Sequence, residues 1–134
     1  MIWMRRPFLA ALWLALASTA AQAAGWGWFA AHIHPTGKCG FGREVGASYY
    51  DTGTRTASGE PFVRSAMTAA SRPGGFAMGS LVHVSNPLTG RSVSVRINDA
   101  GPWGAAWNVG VRLDLSPAAF RALGMSQSGW VCAQ

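Results

Sequence analysis

Six short stretches of the chain alternate apolar with small or polar residues, separated by Gly, Pro, Asn or Asp at intervals of about ten residues, as in a small all-β domain. The predicted strands are Ala47–Tyr50, Ala66–Ala70, Ser80–Ser85, Arg91–Asn98, Arg112–Leu115 and Gly129–Cys132. The fourth is the most regular. Val93, Val95 and Ile97 face one way and Ser94, Arg96 and Asn98 the other, until Asp99 and the turn Gly101-Pro102 end the pattern. Between the third and fourth strands, Asn86-Pro87-Leu88-Thr89-Gly90 predicts a hairpin loop, with Pro setting φ and Gly90 free to take φ > 0. One helix interrupts the strands: Ser116 is a good N-cap, Pro117 suits the first helical position, Ala119, Phe120 and Leu123 share a face, and Gly124 ends it. The fourth strand delivers Asp99 to a loop mouth, where binding and catalytic groups concentrate. An Asp before Gly-Pro is also ordinary turn chemistry, so local pattern leaves both roles open.

The first residues stand apart from this pattern. Arg5 and Arg6 precede an apolar run over Pro7–Ala17, and Ala21-Gln22-Ala23 offers a small-residue cleavage site, so residues 1–23 read as a secretory signal cut before Ala24. No cysteine sits at the cleavage point itself, and a lipid-anchored product is not expected. The remaining 111 residues suffice for one domain and are too few for two. They are divided into a Trp/His-rich leader over 24–45, expected to be extended or partly disordered, and a β domain over 46–134. His32 and His34 in the leader lack a third ligand and do not make a metal site.

Without Arg5 and Arg6 the chain carries nine basic and five acidic residues, a net +4. The arginines are scattered singly, which excludes the clustered basic stripe of a nucleic-acid binder and fits an acidic polymer or envelope surface. Cys39 and Cys132, an even pair at opposite ends of an exported domain, predict one disulfide.

Acids are scarce: Glu44, Asp51, Glu60, Asp99 and Asp114. Protonating a glycosidic oxygen calls for a carboxyl with a raised pKa. Glu60, between Gly59 and Pro61, is presented by a loop rather than a ladder. Ser71 and Arg72 follow a strand, where Arg72 is placed to meet a carboxylate or a substrate. Trp103 and Trp107, in a Gly/Ala loop beside Asp99, resemble the flat platforms on which sugar rings stack; one is expected to face a groove and one to pack. Asp114 at a strand-to-helix junction is expected to hydrogen-bond nearby backbone. A Ser-His-Asp system is not supported, since His83 lies mid-strand and no Gly-x-Ser-x-Gly occurs.

Six blocks in order carry a resemblance: Gly46-Ala47-Ser48-Tyr49-Tyr50, Arg55-Thr56-Ala57-Ser58-Gly59-Glu60-Pro61-Phe62, Met67-Thr68-Ala69-Ala70, Asn86-Pro87-Leu88-Thr89-Gly90-Arg91-Ser92-Val93, Val95-Arg96-Ile97-Asn98-Asp99-Ala100-Gly101-Pro102 and Leu113-Asp114-Leu115-Ser116. Together they resemble the rare lipoprotein A family of septal lytic transglycosylases. The resemblance implies a six-stranded double-psi β-barrel and cleavage of MurNAc-GlcNAc bonds in naked peptidoglycan strands, leaving 1,6-anhydro ends. It implies Asp99 as catalytic acid with Glu60 assisting; Ser71, Arg72, Trp103 and Trp107 are the expected substrate contacts from their positions along the chain. No cofactor is implied, and the expected partner is the peptidoglycan glycan strand, met in the periplasm or outside the cell by a monomer without a stable membrane anchor. Two positions depart from the family pattern: Ser71 stands where a histidine is usual, and Ala100 where an arginine is usual. A hydroxyl does not carry protons near neutral pH as imidazole does. The alternative reading is therefore an expansin-like module that binds polysaccharide without cutting it; a water-using hydrolase is a third.

Overall fold

A computed structural model describes residues 25–134; the predicted signal and its cleavage point lie outside the described residues. Six strands close into a barrel: β1 (Arg43–Tyr49), β2 (Thr68–Ser71), β3 (Leu81–Ser85), β4 (Ser92–Ala100), β5 (Val111–Leu115) and β6 (Gly129–Ala133), in the order β1-β5-β2-β4-β3-β6. The pairs β1/β5 and β2/β4 run parallel and the other four antiparallel, the double-psi arrangement. Closure leaves no unpaired sheet edge. Among the described residues three helical segments lie outside the strands: α1 over residues 25–32, α2 (Ala105–Asn108) between β4 and β5, and α3 (Pro117–Ala122) between β5 and β6.

Alternation explains the inside of the barrel. Val82 and Val84 of β3, Val95 and Ile97 of β4, and Val111, Leu113 and Leu115 of β5 are buried, and all but Val111 belong to the central core with Val45, Ala47, Ala69 and Val131. Helix α3 forms as its caps predict: the Ser116 hydroxyl accepts from the Ala119 N–H at 3.2 Å, and Gly124 takes φ 70° just past the end. Its face of Ala119 and Phe120, continued by the C-cap Leu123, closes over the core. The hairpin also forms, with the Asn86 N–H donating to the Arg91 carbonyl and Gly90 at φ 75°.

Three expectations differ from what is observed. The leader is not extended throughout, because its first residues form α1 and pack on the barrel. Phe29 is 4% exposed and stacks on Trp130, whose indole N–H donates to the Ile33 carbonyl at 3.1 Å. This helix is held by tertiary contact, which is why no sustained period announces it. The barrel also starts earlier than Gly46, because Arg43, Glu44 and Val45 pair with Ala133, Cys132 and Val131. Glu44 is fastened to the preceding loop by the Thr36 N–H and hydroxyl and the Gly37 N–H. Finally, Asn98 does not face solvent; it is 3% exposed. Ala69 pairs with Ile97 and Ala70 with Asp99, so Asn98 is an extra residue that breaks the alternation. Such a bulge bends the strand and re-aims the side chains after it. The disulfide between Cys39 and Cys132 joins the loop before β1 to β6.

Candidate active site

The bulge at Asn98 sets the phase of Asp99. Across the ladders, Ser48 pairs with Asp114, Asp114 with Ala70, and Ala70 with Asp99. Partners in register share a face, so four strands present one row, Ser48–Asp114–Ala70–Asp99, on the outside of the barrel. Two carboxyls thus straddle the methyl group of Ala70, their Cα atoms two strand spacings, about 10 Å, apart.

One oxygen of Asp99, Oδ1, accepts from the Ala57 N–H at 2.8 Å and the Ala100 N–H at 2.9 Å. The Ala57 donor comes from the loop over 55–61, which is tied to β4 in two further ways. The Ser58 N–H donates to the Asn98 carbonyl at 3.1 Å. Arg96 donates to both oxygens of Glu60 at 2.6 Å, and Asn98 Nδ2 adds a 3.4 Å contact. These hydrogen bonds, from Arg96 first and Asn98 second, hold the Glu60 carboxyl below its ordinary pKa. Glu60 is therefore an ionised clasp for the loop that orients Asp99, unsuited to donate a proton itself.

Asp114 is the second carboxyl of the row, and sequence reasoning assigned it a backbone role. Its partner is instead the Ser48 hydroxyl, which donates to Oδ1 at 3.0 Å from the next strand. Burial raises its pKa to about 6; the Ser48 hydrogen bond opposes this and the Asp99 charge adds to it. Beside them lies Tyr50, whose hydroxyl is buried close to Asp99 with no partner in hydrogen-bonding geometry. Burial, and after it the Asp99 charge, raises the phenol pKa, so it stays a protonated donor.

The raised pKa of Asp114 has a consequence for stability. Between its ordinary value near 3.8 and its folded value near 6, the folded chain keeps a proton that the unfolded chain has lost. Stability therefore falls as pH rises through that window. Asp114→Asn is expected to be more stable than the parent above pH ~6, on the order of 2 kcal/mol, and to converge with it near pH ~4. Urea unfolding at both pH values checks this; equal stability of the two proteins at high pH would count against a buried, proton-retaining Asp114.

The other expected contacts divide. Ser71 is 2% exposed, and its hydroxyl donates to the Arg112 carbonyl at 2.7 Å while accepting from the Phe76 N–H at 2.9 Å. Its hydroxyl thus holds the turn after β2, while the residue borders the cavity formed with Arg72, Ala100 and Trp103. Arg72 stacks between Trp103 and Trp107, 4.5 and 4.4 Å from the ring centroids. Trp103 is 60% exposed, whereas Trp107, on α2, is half-buried beneath Arg112.

A family model described as lytic transglycolase matches residues 43–133, from the first residue of β1 to the last of β6. The chain belongs to the lytic transglycolase family. Among curated relatives of this lytic transglycolase chain, the probable endolytic peptidoglycan transglycosylase RlpA of Nostoc sp. is 48% identical over 88 residues, covering 62% of this chain and 22% of that protein. The protein of the same name from Synechocystis sp. is 46% identical over 86 residues, 62% of this chain and 25% of the other. The endolytic peptidoglycan transglycosylase RlpA of Pseudomonas aeruginosa is 41% identical over 91 residues, 65% and 25%. The chain thus spans about a quarter of the length of these relatives. Among solved structures, the Streptomyces papain inhibitor aligns with a TM-score of 0.47 and 21% identity, over 72% of this chain and 98% of that one. The lytic transglycolase match covers all six strands and leaves α1 and Cys39 outside it.

Proposed function

We propose that this chain cleaves the glycan strands of peptidoglycan by lytic transglycosylation, in the periplasm or outside the cell. The observation that carries the proposal is the Asp99/Asp114 pair flanking Ala70 on the outer face of the barrel. Lytic cleavage uses no water: one proton goes to the glycosidic oxygen, and the C6 hydroxyl of the muramoyl ring closes on C1 and gives up its own. Asp99, at the mouth of the row, delivers the first proton and receives the second, so the pair ends each turnover as it began. Asp114, with its pKa raised to about 6, keeps a proton within the pair in mildly acidic solution, below about pH 6. The phenol of Tyr50, buried beside Asp99, is available as a hydrogen-bond donor to that carboxylate. Glu60 acts through the loop, holding the Ala57 N–H on Asp99.

Mass spectrometry of products released from peptide-free glycan tests this reading. The expected products end in anhydro sugars, lighter by one water than hydrolysis products. Reducing ends would replace transglycosylation by hydrolysis. A polysaccharide-binding module is the second reading, favoured by the commitment of Ser71 to the turn, which leaves no proton carrier at that position. Retention on insoluble peptidoglycan without any released product would select it.

A further inference from the structure

A second concave surface is built by α1 and the segment over 124–128, and no residue of the carboxyl row lines it. One cavity, of about 280 Å³, lies between α1 and that segment, with Trp26, Trp28 and Gln127 among its walls. Another, of about 190 Å³, opens between the same segment, the loop over 33–36 and the β3–β4 hairpin, and reaches Trp130. The two share Gln127 and Ser128, so they adjoin as one trough. Helix α1 and the loop over 33–36 precede residue 43, where the family match begins. One wall of the trough is therefore an addition to the family domain.

The rings of that wall are held in place. Phe29 seats α1 on Trp130, with ring centroids 6.2 Å apart, and Trp26 packs edge-on against Phe29 at 5.4 Å. The His32 ring stacks on Trp28 at 4.7 Å, and its Nδ1–H donates to the Trp28 carbonyl at 2.9 Å. His32 thus covers one face of the Trp28 indole and fixes the ring. Gly25 stands three residues before Trp28, one turn back on the same side of the helix. A Cβ there would meet no atom of the described residues within 4 Å, and Trp28 remains 52% exposed. A flat apolar ring is therefore presented ready-made, with little side-chain freedom left to lose on binding.

The chemistry of the trough selects a class of ligand. Of the eleven basic and five acidic residues in the chain, none lines either cavity, so an ionic ligand finds no counter-charge there. Neutral hydrogen-bonding groups stand between the rings instead: exposed Ser126, Gln127 and His34, and half-buried Ser128. A sugar fits that mixture, because its apolar ring face covers an indole while its hydroxyl and amide groups exchange hydrogen bonds with neutral side chains. A membrane-binding face calls for continuous apolar surface edged by Lys and Arg, which the trough lacks. We propose that the trough is a second saccharide site, taking a neutral oligosaccharide with Trp28 as its platform and Gln127 as a hydrogen-bonding partner. Equating that saccharide with the uncharged GlcNAc units of wall glycan rests on the proposed action on peptidoglycan. The site would keep the chain on the polymer while the carboxyl row acts.

Titration of the parent protein with chitotetraose, followed in amide and indole N–H nuclear magnetic resonance spectra, tests the site without requiring turnover. Signals of Trp28, Gln127 and Ser128 are expected to shift together along one saturation curve. Trp28→Ala should weaken that response about tenfold, the scale of one lost ring contact. Trp103→Ala, on the opposite side of Arg72 from Trp107, should leave it unchanged. Phe29 rather than Trp28 anchors α1, so the variant should fold. Gln127→Ala, outside every helix and strand, gives an independent check and should weaken the response as well. Shifts confined to the residues around Asp99, or a response that survives both Trp28→Ala and Gln127→Ala, would overturn the proposal. So would shifts at α1 caused by vesicles of phosphatidylethanolamine and phosphatidylglycerol and not by chitotetraose, which would assign the surface to a membrane. Shifts at α1 without anhydro products from peptide-free glycan would keep the site and sink the lytic reading; anhydro products without those shifts would sink the site alone.

Discussion

Asparagine in place of Asp99 is expected to lower the release of anhydro products from peptide-free glycan by about 10³-fold, the usual scale for loss of a general acid–base group. The substitution is nearly isosteric. An asparagine Oδ1 still accepts from the Ala57 and Ala100 N–H groups, so the loop over 55–61 should stay docked and the fold persist. What disappears is the proton that the glycosidic oxygen needs and the base that the C6 hydroxyl needs. Product counts by mass spectrometry, beside a thermal melt that matches the parent, check the expectation. Intact release by Asp99→Asn would remove the catalytic reading of the whole row, since Asp114 is placed to act through Asp99 rather than on the sugar.

The second large effect concerns stability. Cys39 and Cys132 are 93 residues apart, and their bond closes almost the whole described chain into one loop. In the chain-entropy account, opening a loop of that length costs about 4–5 kcal/mol, a large fraction of the 5–15 kcal/mol that holds a typical domain. The Cys39→Ala/Cys132→Ala double variant is expected to lose about 4 kcal/mol in urea unfolding, and reduction of the parent should do the same. Ala at position 132 sits in register with Glu44 and removes only a thiol from a buried site, so packing loss adds little. A change below about 1 kcal/mol would mean that the reduced unfolded chain is already constrained. The bond also pins the segment that carries α1, so loss of the Phe29–Trp130 contact should accompany it, visible as a change in tryptophan fluorescence.

The places where sequence and structure part company share a cause. The hairpin at Asn86–Gly90 and the caps of α3 were legible because each depends on residues within a few positions: Pro and Gly dihedrals, a hydroxyl three residues from an N–H. Helix α1 was not, because Phe29 is held by Trp130, about a hundred residues away. Asn98 looked outward by alternation and is buried where the loop over 55–61 docks, its carbonyl accepting from the Ser58 N–H and its amide reaching Glu60 beside Arg96, contacts between segments about forty residues apart. Ser71 read as a loop residue open to ligand; whether a hydroxyl is free depends on which carbonyl lies across from it, here that of Arg112. For Asp114 the alternation Val111, Leu113, Leu115 already indicated an outward side chain, but its neighbour Ser48 lies 66 residues back.

By itself the sequence determined the inward apolar set, the turns, the one predicted helix and the strand that ends on Asp99, since a period of two and local dihedral preferences state which way each residue faces. It did not state which strand lies beside which. The parallel pairings of β1 with β5 and β2 with β4, the row Ser48–Asp114–Ala70–Asp99 and the stacking of Arg72 between Trp103 and Trp107 were decided only by closure of the barrel. Protonation and charge balance come from that closure, because both depend on burial and on the charges of neighbours distant along the chain.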